Sequence, residues 1–160
     1  MGAKTIFQTG LTDVRINPTT LPEALGTIRY ETNAIYKYVQ FSGASAVAVG
    51  DIVSYVAYAS DGAGAIVNKA NTSLGAGVAL AVVAAGTIAT GAVAYATGWI
   101  QVRGLATVAA TPAGAPAFGD SLTTAAAAAG GCTKNTTSNA ASIAFCYDAT
   151  AKKIFCKFPH

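Results

Sequence analysis

A chain of 160 residues and 15.9 kDa is one domain by length, and ten Lys and Arg against seven Asp and Glu leave a formal charge of +3. That surplus is too small for a nucleic-acid handle. Only 11% of the residues are charged, against about 25% in an ordinary soluble domain, while 52% are apolar and mean hydropathy is +0.45, which excludes global disorder. Ala carries much of the apolar share, supported by 17 Gly, so any core is built from small side chains in close contact. A chain of this length can bury about 70% of its unfolded surface, enough for a core without disulfides. Cys132, Cys146 and Cys156 are odd in number and lack any C-x-x-C spacing, which argues against both a disulfide framework and a zinc site. Reduced, buried thiols are expected, although Cys146 and Cys156 flank a turn and could face each other across two strands.

Met1 to Leu25 shows no sustained period and contains Asn17-Pro18 and Leu21-Pro22, with Lys4, Phe7, Arg15 and Ile16 scattered among polar residues. It reads as an extended arm over 1–25 that buries little against its own domain, and so is either disordered or laid along a partner. Met1 to Leu11 has no apolar core of the kind a signal peptide carries, so the Asn71 and Asn135 glycosylation patterns have no secretory context. Gly26 to Glu31 and Ala34 to Phe41 are two strand-like runs joined by Thr32-Asn33, a β-hairpin in which Asn tolerates a left-handed turn. Turns at Val49-Gly50-Asp51 and Asp61-Gly62 bracket a strand over Ile52 to Tyr58 and precede another over Ala65 to Lys69. Gly77 to Val83, Ala92 to Tyr95 and Trp99 to Arg103 continue the rhythm. In the last, Ile100 and Val102 alternate with Gln101 and Arg103, the period of a sheet with one wet face.

No charge falls between Lys69 and Arg103, and Ala76 to Ile100 is long enough to cross a bilayer as a helix. Gly77, Gly86, Gly91 and Gly98 interrupt it, and it lacks the Leu, Ile and Phe content that drives insertion, so glycine-separated strands are the better reading. The Ala125 to Ala129 run is too short for an isolated helix and is read as strand or loop. A weak internal echo also runs through the chain. Gly50-Asp51, Val67 to Lys69, Val78 to Leu80 and Ile100 to Val102 are followed in order by Gly119-Asp120, Cys132 to Lys134, Ile143 to Phe145 and Phe155 to Lys157. The expected fold is therefore all-β, a compact β-sandwich or barrel-like (tulip-type) domain over 26–160. If the echo is more than chance, it contains two related units, about 45–108 and 115–160.

Chemistry-bearing patterns are thin. The only His is His160, which leaves no partner for a nucleophilic triad, and Asp13, Glu23, Glu31, Asp51, Asp61, Asp120 and Asp148 mostly sit in turn contexts instead of forming acid-base pairs. Gly75-Ala-Gly77 opens like a dinucleotide fingerprint, but Leu80 occupies the third glycine position. No catalytic residue, cofactor site or metal site is expected. Arg29, Tyr30, Tyr36, Lys37 and Tyr38 form the one basic-aromatic cluster, which is more in keeping with a core edge or protein interface than with nucleic acid. Lys152-Lys153 reads as a solvated turn.

Leu25 to Tyr30, Tyr36 to Phe41, the Gly-Asp-x-Val strand from Ala48 to Tyr55, Gly77-Val-Ala-Leu80 and Gly98-Trp-Ile-Gln-Val-Arg-Gly104 stand in an order that resembles the head decoration (capsid cement) proteins of tailed double-stranded DNA phages. The resemblance spans Leu25 to the C-terminus and includes a second round of the same elements, though its motifs are short and structural. Thr87 to Ala96 and the Cys-bearing C-terminal hairpin depart from the pattern. It implies a non-enzymatic virion protein on the outer surface of the capsid, with the major capsid protein and further copies of itself as partners, a trimer before a dimer, and neither nucleic acid nor membrane. The arm residues Lys4, Phe7, Arg15 and Ile16 would then contact the shell, with Tyr36, Tyr38 and Trp99 at an interface. A tail-tube, fibre or adhesin-like phage protein is the alternative.

Overall fold

Short runs of β-branched and aromatic residues between glycine turns leave this chain no local route to a helix, and every regular element among the described residues is a strand. The computed structural model describes residues 7–16, 18–42, 45–56, 65–69, 74–84, 96–125, 128–137 and 142–159. The expected Asp61-Gly62 turn, the Ala92 to Tyr95 strand, Lys4, His160 and the Asn71 sequon lie outside these residues, as do Ala126 and Ala127 of the alanine run.

Among the described residues eleven strands follow in order: β1 (Arg15–Ile16), β2 (Ile28–Glu31), β3 (Ala34–Phe41), β4 (Ile52–Tyr55), β5 (Ile66–Asn68), β6 (Gly75–Ala79), β7 (Ala96–Thr107), β8 (Ser121–Thr124), β9 (Cys132–Lys134), β10 (Ala144–Asp148) and β11 (Lys153–Lys157). Strands β3, β5, β4, β6 and β7 are hydrogen-bonded in that order, and β7 returns to β3 through eight residue pairs, closing a five-stranded barrel. All its contacts are antiparallel except β3 with β5. Closure removes the free sheet edges that a small-residue sheet would otherwise expose.

The outer strands repeat this order. From the second half of β7 the chain of pairings runs β11, β10, β8, β9, and a parallel bridge between Ala113 and Thr133 brings the segment after β7 back against β9. Thus β7 is the last strand of the closed barrel and the first of an outer set, the second ring, whose far end β9 is met by the Ala113 bridge and not by β7 itself. At twelve residues it is long enough to serve both.

The crossing is made at Gly104, which pairs with Ala34 on one side and Cys156 on the other at φ +97°. A Cβ there would collide with the Asn33 carbonyl oxygen, so the position requires glycine for both its conformation and its clearance. Thr32 and Asn33 do join β2 to β3 as a two-residue turn, but Asn33 is not left-handed. Among the described residues the non-glycines at positive φ are Ala115 and Lys152.

The echo in the sequence has a structural counterpart in the two Gly-Asp turns. Gly50 and Gly119 hold φ +86° and +84°, and the Asp51 and Asp120 carboxylates each accept a 2.7 Å hydrogen bond from the backbone N–H three residues earlier. Each also pairs at 2.8 Å with a lysine, Lys69 just after β5 or Lys134 at the end of β9. The pairings make Val67 to Lys69 the equivalent of Cys132 to Lys134, as the residue pattern suggests. They match Val78 to Phe145, however, and Ile100 to Ile154, which moves the third strand by two residues and the fourth by one.

Val39, Phe41, Ile52, Val67, Val78, Ile100 and Val102 in the first ring join Leu122, Cys132, Ile143, Cys146, Ile154 and Cys156 in the second as one buried cluster. Burying such a Val, Leu or Ile side chain contributes about 1.5–3 kcal/mol, so many small contacts replace a few large ones. Close approach marks the seam between the rings, where Asp51 and Lys69 side-chain atoms would lie 2.8 Å from a Cβ on Gly130.

Candidate interaction surface

The twelve residues of β7 place alternate side chains inside and outside the rings. On its outer side near the start stands Trp99, paired with Tyr38 of β3, their rings meeting edge-on at 5.1 Å. Both were expected at an interface with another chain, and this is corrected: Trp99 is 1% exposed and Tyr38 fully buried, within the chain's own fold. What covers them is the N-terminal arm. Phe7 packs edge-on against Trp99 at 5.5 Å, and the indole Nε1–H donates to Thr9 Oγ1 at 3.0 Å. The Tyr38 and Thr97 hydroxyls hydrogen-bond at 2.7 Å beneath.

The arm is therefore extended but not free. Gln8 N–H donates to Glu23 at 2.6 Å, Arg29 lies 5.0 Å above the Phe7 ring, and β1 pairs Arg15 with Thr97 and Ile16 with Ala96 of β7. The expectation that the arm over 1–25 buries little against its own domain fails at Phe7, Thr9 and Val14, because Trp99 and Tyr38 point outward from the barrel and need a cover, while most of residues 7–16 stay exposed. Of the proposed arm contacts, Phe7 is half-buried, whereas Arg15 and Ile16 face solvent, Ile16 at 59% exposure. They border an open groove of about 410 Å³ lined also by Pro18, Thr19, Thr20 and Pro22. Tyr36, the third interface candidate, is half-buried between Arg29 of β2 and Gln101 of β7. Burial pushes its phenol above the ordinary value, with the Glu31 carboxylate adding to this and Arg29 opposing it.

Further along β7 the wet face starts two residues later than the alternation suggests. Gln101 is buried, its amide donating to the Arg103 and Leu105 carbonyls at 3.2 and 3.0 Å. From Arg103 onward the outer side is open, and here sequence reasoning missed an apolar row: Leu105 of β7 stands opposite Phe155 of β11, which stands opposite Phe145 of β10. Leu105 and Phe155 are 46% and 47% exposed, and Phe145 is half-buried. Period-two alternation was present in Lys153 to Lys157, but with Phe155 on the outer side it could not be oriented from sequence alone. The exposed Phe118 meets Tyr147 edge-on at 5.9 Å beyond it.

The three cysteines are buried and unbridged in the second ring. Cys146 pairs with Ile154 and Cys156 with Ala144, so they do not face each other across the hairpin. Desolvation, with a smaller contribution from a neighbouring thiol, pushes Cys132 and Cys156 up to about 12, and burial also raises Cys146, helped by Asp120 and Asp148. Among the described residues no group of three His, Cys, Asp or Glu is placed to hold a metal, and no helix is long and apolar enough to cross a membrane. Comparison of the chain with protein-family models, with curated proteins and with solved structures finds no match.

Proposed function

We propose that this chain is a non-enzymatic structural protein of a tailed phage virion that binds the outer surface of the major capsid shell and cements adjacent capsomers. The observation that carries the reading is the second round of elements. The Gly119-Asp120 turn, with its lysine partner and the strand order β9, β8, β10, β11, restates the Gly50-Asp51 turn and the order β5, β4, β6, β7. A second round of the same elements is what the resemblance to decoration proteins implies, although its last two strands, β10 and β11, form the Cys-bearing hairpin that departs from the pattern; the motif residues that carry the resemblance lie on or beside β2, β3, β4, β6 and β7.

A barrel and an outer set of strands sharing β7 give a low-charge body, and many copies of one weak contact sum over a shell. A protein that binds only the expanded shell stabilises that state by mass action. The arm's part in this reading is narrower than its composition suggests: Arg15 and Ile16 remain on the surface, while Phe7 is committed to Trp99. Self-association as a trimer belongs to the same proposal.

The test is the copy number of the chain in purified virions of the phage that encodes it, measured by quantitative mass spectrometry against the major capsid protein. A ratio within a small factor of one supports a shell component. A handful of copies moves the assignment to tail, fibre or adhesin, and absence from the particle overturns it.

A further inference from the structure

The outer face of the second ring is not the polar face that a solvated antiparallel sheet normally presents. Leu105, Phe155 and Phe145 form a continuous cross-strand row there, and at its two ends stand cations. Arg103 pairs with Lys157 in register on one side of the row, and on the other Lys153 stands between Thr107 of β7 and Asp148 of β10. The ion pairs among the described residues are Arg29–Glu31, Lys69–Asp51 and Lys134–Asp120, so none uses a cation of this rim. An apolar centre with a border in which Arg103, Lys153 and Lys157 outnumber the Asp148 carboxylate is the surface pattern of a binding face, where the border selects partners by charge and the centre supplies burial.

The geometry points to this face as a docking site for another protein whose complementary surface has an apolar centre and a carboxylate rim. A second copy of the chain is the competing occupant, since Asp148 stands at the edge of the same face; shifts at the face that grow with protein concentration alone, without peptide, would assign it to self-association and overturn the inference. A nucleic acid fits less well, because Lys157 Nζ lies 5.6 Å over the Phe145 ring and occupies the face on which a base would stack. Three cations are also few for phosphate-driven binding, whose affinity grows with each phosphate neutralised. The inference takes from the proposed function only the identity of the natural partner, the shell protein. The chemistry of the face stands apart from it.

Two experiments separate these claims. In the first, backbone amide shifts of the whole chain are followed by NMR on titration with a synthetic peptide in which Leu-Phe-Leu is flanked by glutamates, its lysine-flanked counterpart, and oligothymidylate. Shifts confined to β7, β10 and β11 around Leu105, Phe145 and Phe155, seen with the acidic peptide alone and weakened by salt, are expected. Binding elsewhere, no binding, or preference for the lysine peptide or the oligonucleotide overturns the inference.

In the second, expanded heads stripped of this protein are mixed with the wild type, with Phe155→Ser, and with the double variant Lys153→Glu, Lys157→Glu. All these positions are on the surface, and unchanged thermal unfolding shows that the variants are folded. Each variant is expected to bind about tenfold or more weakly, the loss typical of removing a central contact. Undiminished binding overturns the face while leaving the cementing role standing. Peptide binding at the face with no wild-type binding to heads supports the face and removes the cementing role.

Discussion

Replacing Gly104 by Ala probes the point at which β7 passes from one ring to the next, and Gly119→Ala is its internal control. Both glycines sit at similar positive φ, +97° and +84°, so both substitutions impose the backbone strain of a side chain in that region, about 1–2 kcal/mol. They differ in what a Cβ meets. At Gly119 there is nothing within 4 Å, whereas at Gly104 the new methyl collides with the Asn33 carbonyl oxygen and comes within 3.1 Å of Ala34 Cα. Those atoms are backbone of the β2–β3 hairpin and cannot rotate away, so the overpacking adds about 1–3 kcal/mol. The expected losses are therefore about 1–2 kcal/mol for Gly119→Ala and roughly 2–5 kcal/mol for Gly104→Ala. Urea unfolding measures both, with an unchanged slope showing that the two variants unfold the same surface. For a chain of this size each kcal/mol lowers Tm by about 2–4 °C, so the gap is visible in a thermal scan as well. Equal losses in the two variants would refute the claim that the hairpin turn is held against the crossing.

Thr9→Val leaves the buried Trp99 indole N–H without its acceptor and is expected to cost about 1–3 kcal/mol, while Phe7→Ala uncovers the ring and shifts Trp99 fluorescence to the red; unchanged emission would mean that the arm does not cover it. Asp51→Ala strands Lys69 beside the Gly130 loop and should destabilise by about 3–5 kcal/mol, whereas Asp120→Ala, at the more exposed equivalent pair, should cost less; denaturant melts compare them. The Lys134 ammonium and the Ala117 N–H hold the Asp120 carboxyl below its ordinary value of 3.8, so its stabilisation is present above that pH and is lost as pH falls below it. Asp120→Asn should accordingly flatten the acid limb of the stability profile, and an unaltered limb contradicts the assignment. Cys132 and Cys156, pushed up to about 12, should not react with a thiol reagent at pH about 8 in the native protein and should titrate on unfolding; fast native labelling would show that the second ring is open.

Turn chemistry is what the sequence displays most openly. Gly50-Asp51 and Gly119-Asp120 announce their geometry because glycine at positive φ followed by a capping carboxylate is a local solution, settled within four residues. Strand register is not local. The echo between the halves aligns Val67 to Lys69 with Cys132 to Lys134, but the match of Ile100 to Ile154 differs by one residue from the alignment the residue types suggest. A one-residue slip turns every side chain to the opposite face, which is why the outward row of Leu105, Phe155 and Phe145 was not legible.

The aromatic residues failed differently. Tyr38 and Trp99 do lie on the outer side of the barrel, where an interface would be, but their cover is Phe7 and Thr9 of the same chain. A sequence shows that an aromatic surface needs covering and does not show whose chain provides the cover. Gln101 is a related case: its amide finds two backbone carbonyls on its own strand, so a polar residue at an outward position is buried without penalty.

The central claim is that this chain clamps an expanded phage shell. It is tested most directly by equilibrium binding of the purified protein to expanded and unexpanded heads of the phage that encodes it, with shell melting followed in parallel. Saturable binding to expanded heads alone, near one copy per capsid subunit and raising the temperature at which the shell comes apart, is the expected result. Equal binding to both forms, or none to either, would contradict it.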